Sequence, residues 1–139
     1  MRRDPRIVSF NMSRIRGKNT KPELVLRRAL HSLGLRYRLH AGLPGHPDIL
    51  FVRARVAVFV DGAFWHGRDM RVLRGKLKVH RRFWLAKIGA TVSRDRRNRS
   101  ALRRLGFRVL SFWDDQVLSA PGKCAGKVLL VVRERAAIA

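Results

Sequence analysis

A chain of 139 residues with 46% hydrophobic content can bury one real core without covalent staples. Its 32 Lys and Arg against 9 Asp and Glu leave a formal charge of +23, which self-repels unless a polyanion neutralises it, so nucleic acid is the first partner implied. No stretch approaches the roughly 18 uninterrupted apolar residues of a membrane span and no amino-terminal signal pattern is visible, so a cytoplasmic, nucleoid-associated protein is expected. The single Cys124 excludes an intramolecular disulfide and a four-cysteine zinc site. Charge alone leaves a ribosomal or architectural protein open and says nothing of catalysis.

Residues 1–19 are basic with little periodicity and read as an arm that orders on a partner, ahead of a single domain over 20–139. Thr20-Lys21-Pro22-Glu23 reads as a helix start, with Thr20 as N-cap, Pro22 in the first turn and Glu23 at the capping-box position. Leu26, Ala29, Leu30 and Leu33 follow at helical spacing and Gly34 closes the helix, predicted over 21–33. Leu35 to Leu39 alternates apolar and basic residues as a half-buried strand does.

The Gly- and Pro-rich loop 41–48 then delivers the chain to a strand at Asp48 to Val52. A turn near Arg53-Ala54 and a second strand from Arg55 to Val60 complete a hairpin. In an antiparallel pair the start of one strand lies beside the end of the next, so Asp48 and Asp61 become neighbours. Two close carboxylates repel unless a hard cation such as Mg²⁺ sits between them; the plain alternative is that each Asp only closes a turn.

The stretch VAVFVDGAFWHG at 56–67 organises the rest. A short Val-rich run of the kind a buried strand shows ends in Asp61-Gly62 and delivers Phe64, Trp65 and His66 to one edge of a sheet, where α/β proteins keep their chemistry. A Phe-Trp pair after a strand, taken alone, is more often a core filler than a functional pair. Residues 68–78 read as a basic loop. Helical patterning runs from about Val79 through Phe83, Trp84 and Ile88, with a break at Gly89, and resumes from Thr91 to Leu105, where the one acid, Asp95, stands among arginines and pairs with them or works. Gly106 ends the helix, Phe107 to Phe112 reads as a strand, and Lys127 to Ile138 as a last amphipathic helix. The result is an α/β fold: a mixed sheet flanked by helices.

Six pieces, NMSRIRGKNTKPE (11–23), LPGHPD (43–48), VFVDGAFWHG (58–67), FWLAKIG (83–89), RDRRN (94–98) and LGFRVLSFWD (105–114), resemble in order the very short patch repair (Vsr) DNA mismatch endonucleases. The resemblance implies a restriction-endonuclease-like fold of the PD-(D/E)XK type and Mg²⁺-dependent nicking of one strand beside a mismatch, T·G in the type member. It implies Asp48 and the Val60 carbonyl as metal ligands, His66 paired with Asp95 to activate water, and Glu23 supporting the site. It further implies Phe64, Trp65 and Trp84 as wedges from the major groove, Met12 from the minor groove, and Lys87 on a base edge or phosphate.

Three positions depart from the type member. Its structural zinc ligands fall here on Ala63, around Arg68 and Met70, and near Asp115, so no structural zinc is expected. Its His falls on Asp61, which then serves either the metal or the turn. An Asn used in mismatch recognition falls on Thr91. The expected partner is mismatched double-stranded DNA acted on by a monomer, with accessory mismatch-repair proteins as candidates. The rivals are a nickase of the same fold acting on another mismatch or on modified DNA, and a noncatalytic DNA-binding protein.

Overall fold

The computed structural model describes residues 20–39, 41–63 and 80–138. Helix α1 spans Lys21–Ser32. Thr20 is its N-cap, with its carbonyl accepting the Leu24 N–H at 2.9 Å, but the Thr20 side chain makes no cap hydrogen bond. The expected capping box is therefore not formed. Glu23 is instead buried and ion-paired with Arg27 one turn on. Leu26 and Leu30 are fully buried, each contributing about 1.5–3 kcal/mol. Gly34, at φ +82°, closes the helix: its N–H reaches the His31 carbonyl and the Leu35 N–H reaches that of Leu30, the two bonds of a Schellman motif.

Four strands follow: β1 Arg38–Leu39, β2 Ile49–Phe51, β3 Val56–Asp61 and β4 Arg108–Trp113, in the sheet order β1-β2-β3-β4. β1 and β2 pair antiparallel, as do β2 and β3, while β3 and β4 run parallel. The hairpin expected at 48–60 is present, turning at residues 52–55 with Arg55 in the left-handed region. The first strand is shorter than expected, because Leu35 and Tyr37 pack against the core and the Tyr37 hydroxyl donates to the Arg27 carbonyl, leaving Arg38 and Leu39 to pair.

Alternation sorts the strand residues to two faces. Ile49, Phe51, Val56, Val58, Leu110 and Phe112 pack on one side with Leu26 and Leu30 of α1 and with Val117, Val128 and Val131. Leu50, Ala57 and Phe59 face the other way, against Leu102. Leu102 belongs to α2, Arg81–Arg104, which covers that second face; the remaining helices are α3, Asp114–Ser119, and α4, Pro121–Ile138.

Two further expectations, both about helices, are corrected by the structure. α2 is continuous through Gly89, where an added Cβ would meet nothing within 4 Å. A single helical glycine costs only about 1 kcal/mol, and the burial of Ile88 and Thr91 on either side holds the helix together. α4 begins at Pro121, six residues ahead of the expected Lys127. Proline suits a first helical turn, and Cys124, Ala125 and Val128 extend the buried face to meet it. α2 ends as α1 does, with Gly106 at φ +94° and a Schellman pair to Arg103 and Leu102.

Candidate active-site edge of the sheet

The carboxyl ends of the parallel strands β3 and β4 stop at Asp61 and Trp113, which are partners in the register. Helix α2 leads back to the start of β4, so its amino-terminal half lies toward this same edge. That is the edge at which open α/β sheets carry ligands.

Asp48 is delivered to β3 by a tightly shaped loop. Gly45 (φ +78°) and His46 (φ +48°) both take left-handed conformations, and the His46 N–H closes a turn on the Leu43 carbonyl at 2.8 Å. A Cβ on Gly45 would lie 3.0 Å from Cβ of Asn98, so only glycine lets the loop approach α2 this closely. The Asp48 N–H then donates to the Val58 carbonyl at 3.0 Å, and Asp48 Oδ2 accepts the Val60 N–H at 2.7 Å. A strand residue points its N–H and its C=O to the same flank. The Val60 carbonyl therefore faces the flank of β3 that the Asp48 carboxylate occupies.

Asp61 sits one residue on and points to the α2 face. It is buried, and its Oδ1 accepts from Arg99 Nη2 at 2.8 Å. Beside it lies a cleft of about 310 Å³ lined by Asp95, Arg96, Arg99, Ser111 and Trp113 among others. The structure thus brings Asp61 and Asp95 to one cleft. Asp48 and Asp61 come to adjacent residues of β3, but Asp61 answers to Arg99. Glu23 is placed in α1, buried against Arg27.

On α2, Trp84 packs edge-to-face on the 59% exposed Phe83, ring centroids 5.2 Å apart, and Lys87 Nζ stands 5.6 Å from the Trp84 ring centre. Thr91 is buried, with its hydroxyl donating to the Lys87 carbonyl at 3.1 Å. Met12, Phe64, Trp65 and His66 lie outside the described residues.

The sequence profile of DNA mismatch endonuclease Vsr matches residues 3–72, half of the chain. The type II nicking enzyme V.NmeDIP of Neisseria meningitidis serogroup C is 44% identical over 121 residues, covering 86% of this chain and 82% of that one. The chain belongs to the Vsr family. The type II nicking enzyme V.XorIIP of Xanthomonas oryzae pv. oryzae is 45% identical over 106 residues, 75% of this chain and 76% of its own. The DNA mismatch endonuclease Vsr of Escherichia coli K12 is 39% identical over 107 residues, 76% and 68% respectively. A family of DNA endonucleases accounts for a polyanion partner, and among the described residues no helix is long and apolar enough to cross a membrane.

Two residues escaped the sequence reading. Asp114 Oδ1 accepts both the Ala63 N–H, at 3.3 Å, and the Asp115 N–H, at 2.7 Å. It ties the exit of β3 to the start of α3 at two of the positions, Ala63 and Asp115, on which the zinc ligands of the type member fall. Its only sequence signal is an acid in the first turn of a helix. Arg99 escaped because it is one arginine among many in α2, and only the fold brings Asp61 to it.

Proposed function

We propose that this chain is a Mg²⁺-dependent endonuclease that nicks one strand of duplex DNA beside a mismatched base pair, T·G being the first expectation. The observation that carries the proposal is the placement of the Asp48 carboxylate on the flank of β3 where the Val60 carbonyl also faces. The chain leaves that strand directly into the Phe64-Trp65-His66 stretch. We read the mixed four-stranded sheet with helices on both faces as restriction-endonuclease-like.

A carboxylate and a peptide carbonyl on one flank are hard oxygen donors of the kind Mg²⁺ takes. Among the described residues no three His, Cys, Asp or Glu side chains group as a metal site. That is compatible with Mg²⁺, which keeps several waters and is commonly held by one or two carboxylates together with substrate phosphate oxygens. When bound at Asp48 and Val60, the ion supplies positive charge to the phosphate oxygens on which negative charge develops. The Val60 N–H fixes the carboxylate that holds it. His66, oriented by Asp95, holds the attacking water and takes its proton, the work an imidazole does near neutral pH.

Phe64, Trp65 and Met12 serve as apolar wedges between base steps. Unstacking costs a few kcal/mol and least at a poor pair, so wedges select mismatches by energy. The exposed Phe83, with Trp84 and Lys87, offers stacking faces and a cation on the same helix that carries Asp95. Glu23, paired to Arg27, supports the site from α1. A nick needs one active centre, so a monomer suffices.

A second reading keeps the chemistry and changes the target. Thr91 is buried and its hydroxyl is already bonded to Lys87, which makes it a poor reader of a base edge and favours another mismatch or a modified base. End-labelled duplexes, matched and bearing each mismatch, incubated with Mg²⁺ and with EDTA, test both readings. One-strand cleavage at T·G only with Mg²⁺ is expected; cleavage at another lesion selects the second reading. Tight binding without cleavage of any duplex overturns both in favour of a DNA-binding protein.

A further inference from the structure

Arg99 reaches from α2 onto three residues of the sheet. Its Nη2 donates to Asp61 Oδ1 at 2.8 Å, its Nη1 to Ser111 Oγ at 3.0 Å, and its guanidinium carbon lies 4.4 Å from the ring centre of Phe59. Phe59 and Ser111 are partners across β3 and β4, and Asp61 is the next residue on the same face of β3. The side chains of Arg99 and Asp61 are only 16% and 7% exposed. A planar fork held at two nitrogens and one face has a single orientation, which a lysine cannot reproduce. Asp95 stands one helical turn before Arg99, on the same side of α2.

We propose that Arg99 is a positioning residue for strand cleavage, and that Asp61 is its buried counter-ion and not a ligand of the metal. The clamp fixes the rotation and height of α2 over the end of β3, and with them the place of Asp95. A cation shared by Asp61 would have to approach a guanidinium already 2.8 Å from that carboxylate, and like charges at such separations repel strongly where water is scarce. The positioning role rests on the proposed work of Asp95; the clamp itself does not.

The test uses the whole chain with Arg99→Lys, Asp61→Asn and the double variant Asp61→Asn/Arg99→Lys, all assayed well below their melting midpoints. Nicking kcat and KM, the Mg²⁺ concentration at half-maximal rate and the thermal midpoints are measured. Each single variant is expected to lose about tenfold or more in kcat, with KM for duplex and half-saturating Mg²⁺ unchanged within twofold. The double variant is expected to be no worse than the poorer single one in kcat and in midpoint.

An Asp61→Asn protein needing tenfold more Mg²⁺, beside an Arg99→Lys protein that does not, overturns the assignment and makes Asp61 a ligand. Additive losses in the midpoints overturn the clamp. Midpoint coupling with kcat unchanged overturns the positioning role. A wild-type chain that cleaves no duplex refutes the proposed function and the positioning role with it, and the midpoints then decide the clamp alone.

Discussion

Asp48 accepts the backbone N–H of Val60 at 2.7 Å, across the hairpin formed by β2 and β3. One hydrogen bond thereby joins the end of the 41–48 loop to the last turn-free residues of a central strand. Whatever displaces the loop displaces the carboxylate with it.

The loop comes closest to α2 at Gly45. Gly45→Ala would bring a Cβ to 3.0 Å from Cβ of Asn98 and 3.3 Å from the Phe59 ring, at a φ of +78° that an L side chain rarely adopts. A loss of about 1–3 kcal/mol is expected, seen as a lower denaturation midpoint, together with slower nicking. Asn98→Ala leaves that Cβ in place and should not rescue the variant.

The reverse sign is expected at Gly89. Its Cβ position is open on a continuous helix, so Gly89→Ala should stabilise by about 0.5–1 kcal/mol. Urea unfolding reads this as a higher midpoint at unchanged slope; a loss of stability would mean the helix bends there for a reason the fold conceals.

Burial pushes the Cys124 thiol above its ordinary value, with Lys127 pulling weakly the other way. The native thiolate is scarce, and the unfolded chain loses its thiol proton at lower pH than the folded one. This contribution to stability is intact below the ordinary thiol range and falls as pH rises through it toward the folded value. Thiol-reactive dye at pH 8 should label the native chain many times more slowly than the urea-unfolded chain. Equal rates would place Cys124 at the surface.

Much of this architecture was legible in the residues. Thr20-Lys21-Pro22, Gly34 and Gly106 marked helix ends because caps and left-handed closures have few chemical solutions, and Val56 to Asp61 announced a central strand by its β-branched run. Gly89 misled, since a glycine weakens a helix by only about 1 kcal/mol while the burial of Ile88 and Thr91 on either side keeps it continuous. Glu23 misled in the other direction: a buried acid beside Arg27 gains more from an ion pair than from reaching back to a cap. The Arg99–Asp61 and Asp114–Ala63 contacts span 38 and 51 residues, and no local pattern encodes a pairing at that range.

Single-turnover nicking by the Asp48→Ala protein, with duplex binding measured in parallel by fluorescence anisotropy, tests whether the Asp48 carboxylate serves strand cleavage. Removing the carboxylate should slow strand cleavage by roughly 10²–10³-fold or more while duplex affinity stays within a few-fold of wild type. Nicking at near wild-type rate by a folded Asp48→Ala chain would mean that the carboxylate that Val60 holds in place has no part in the chemistry.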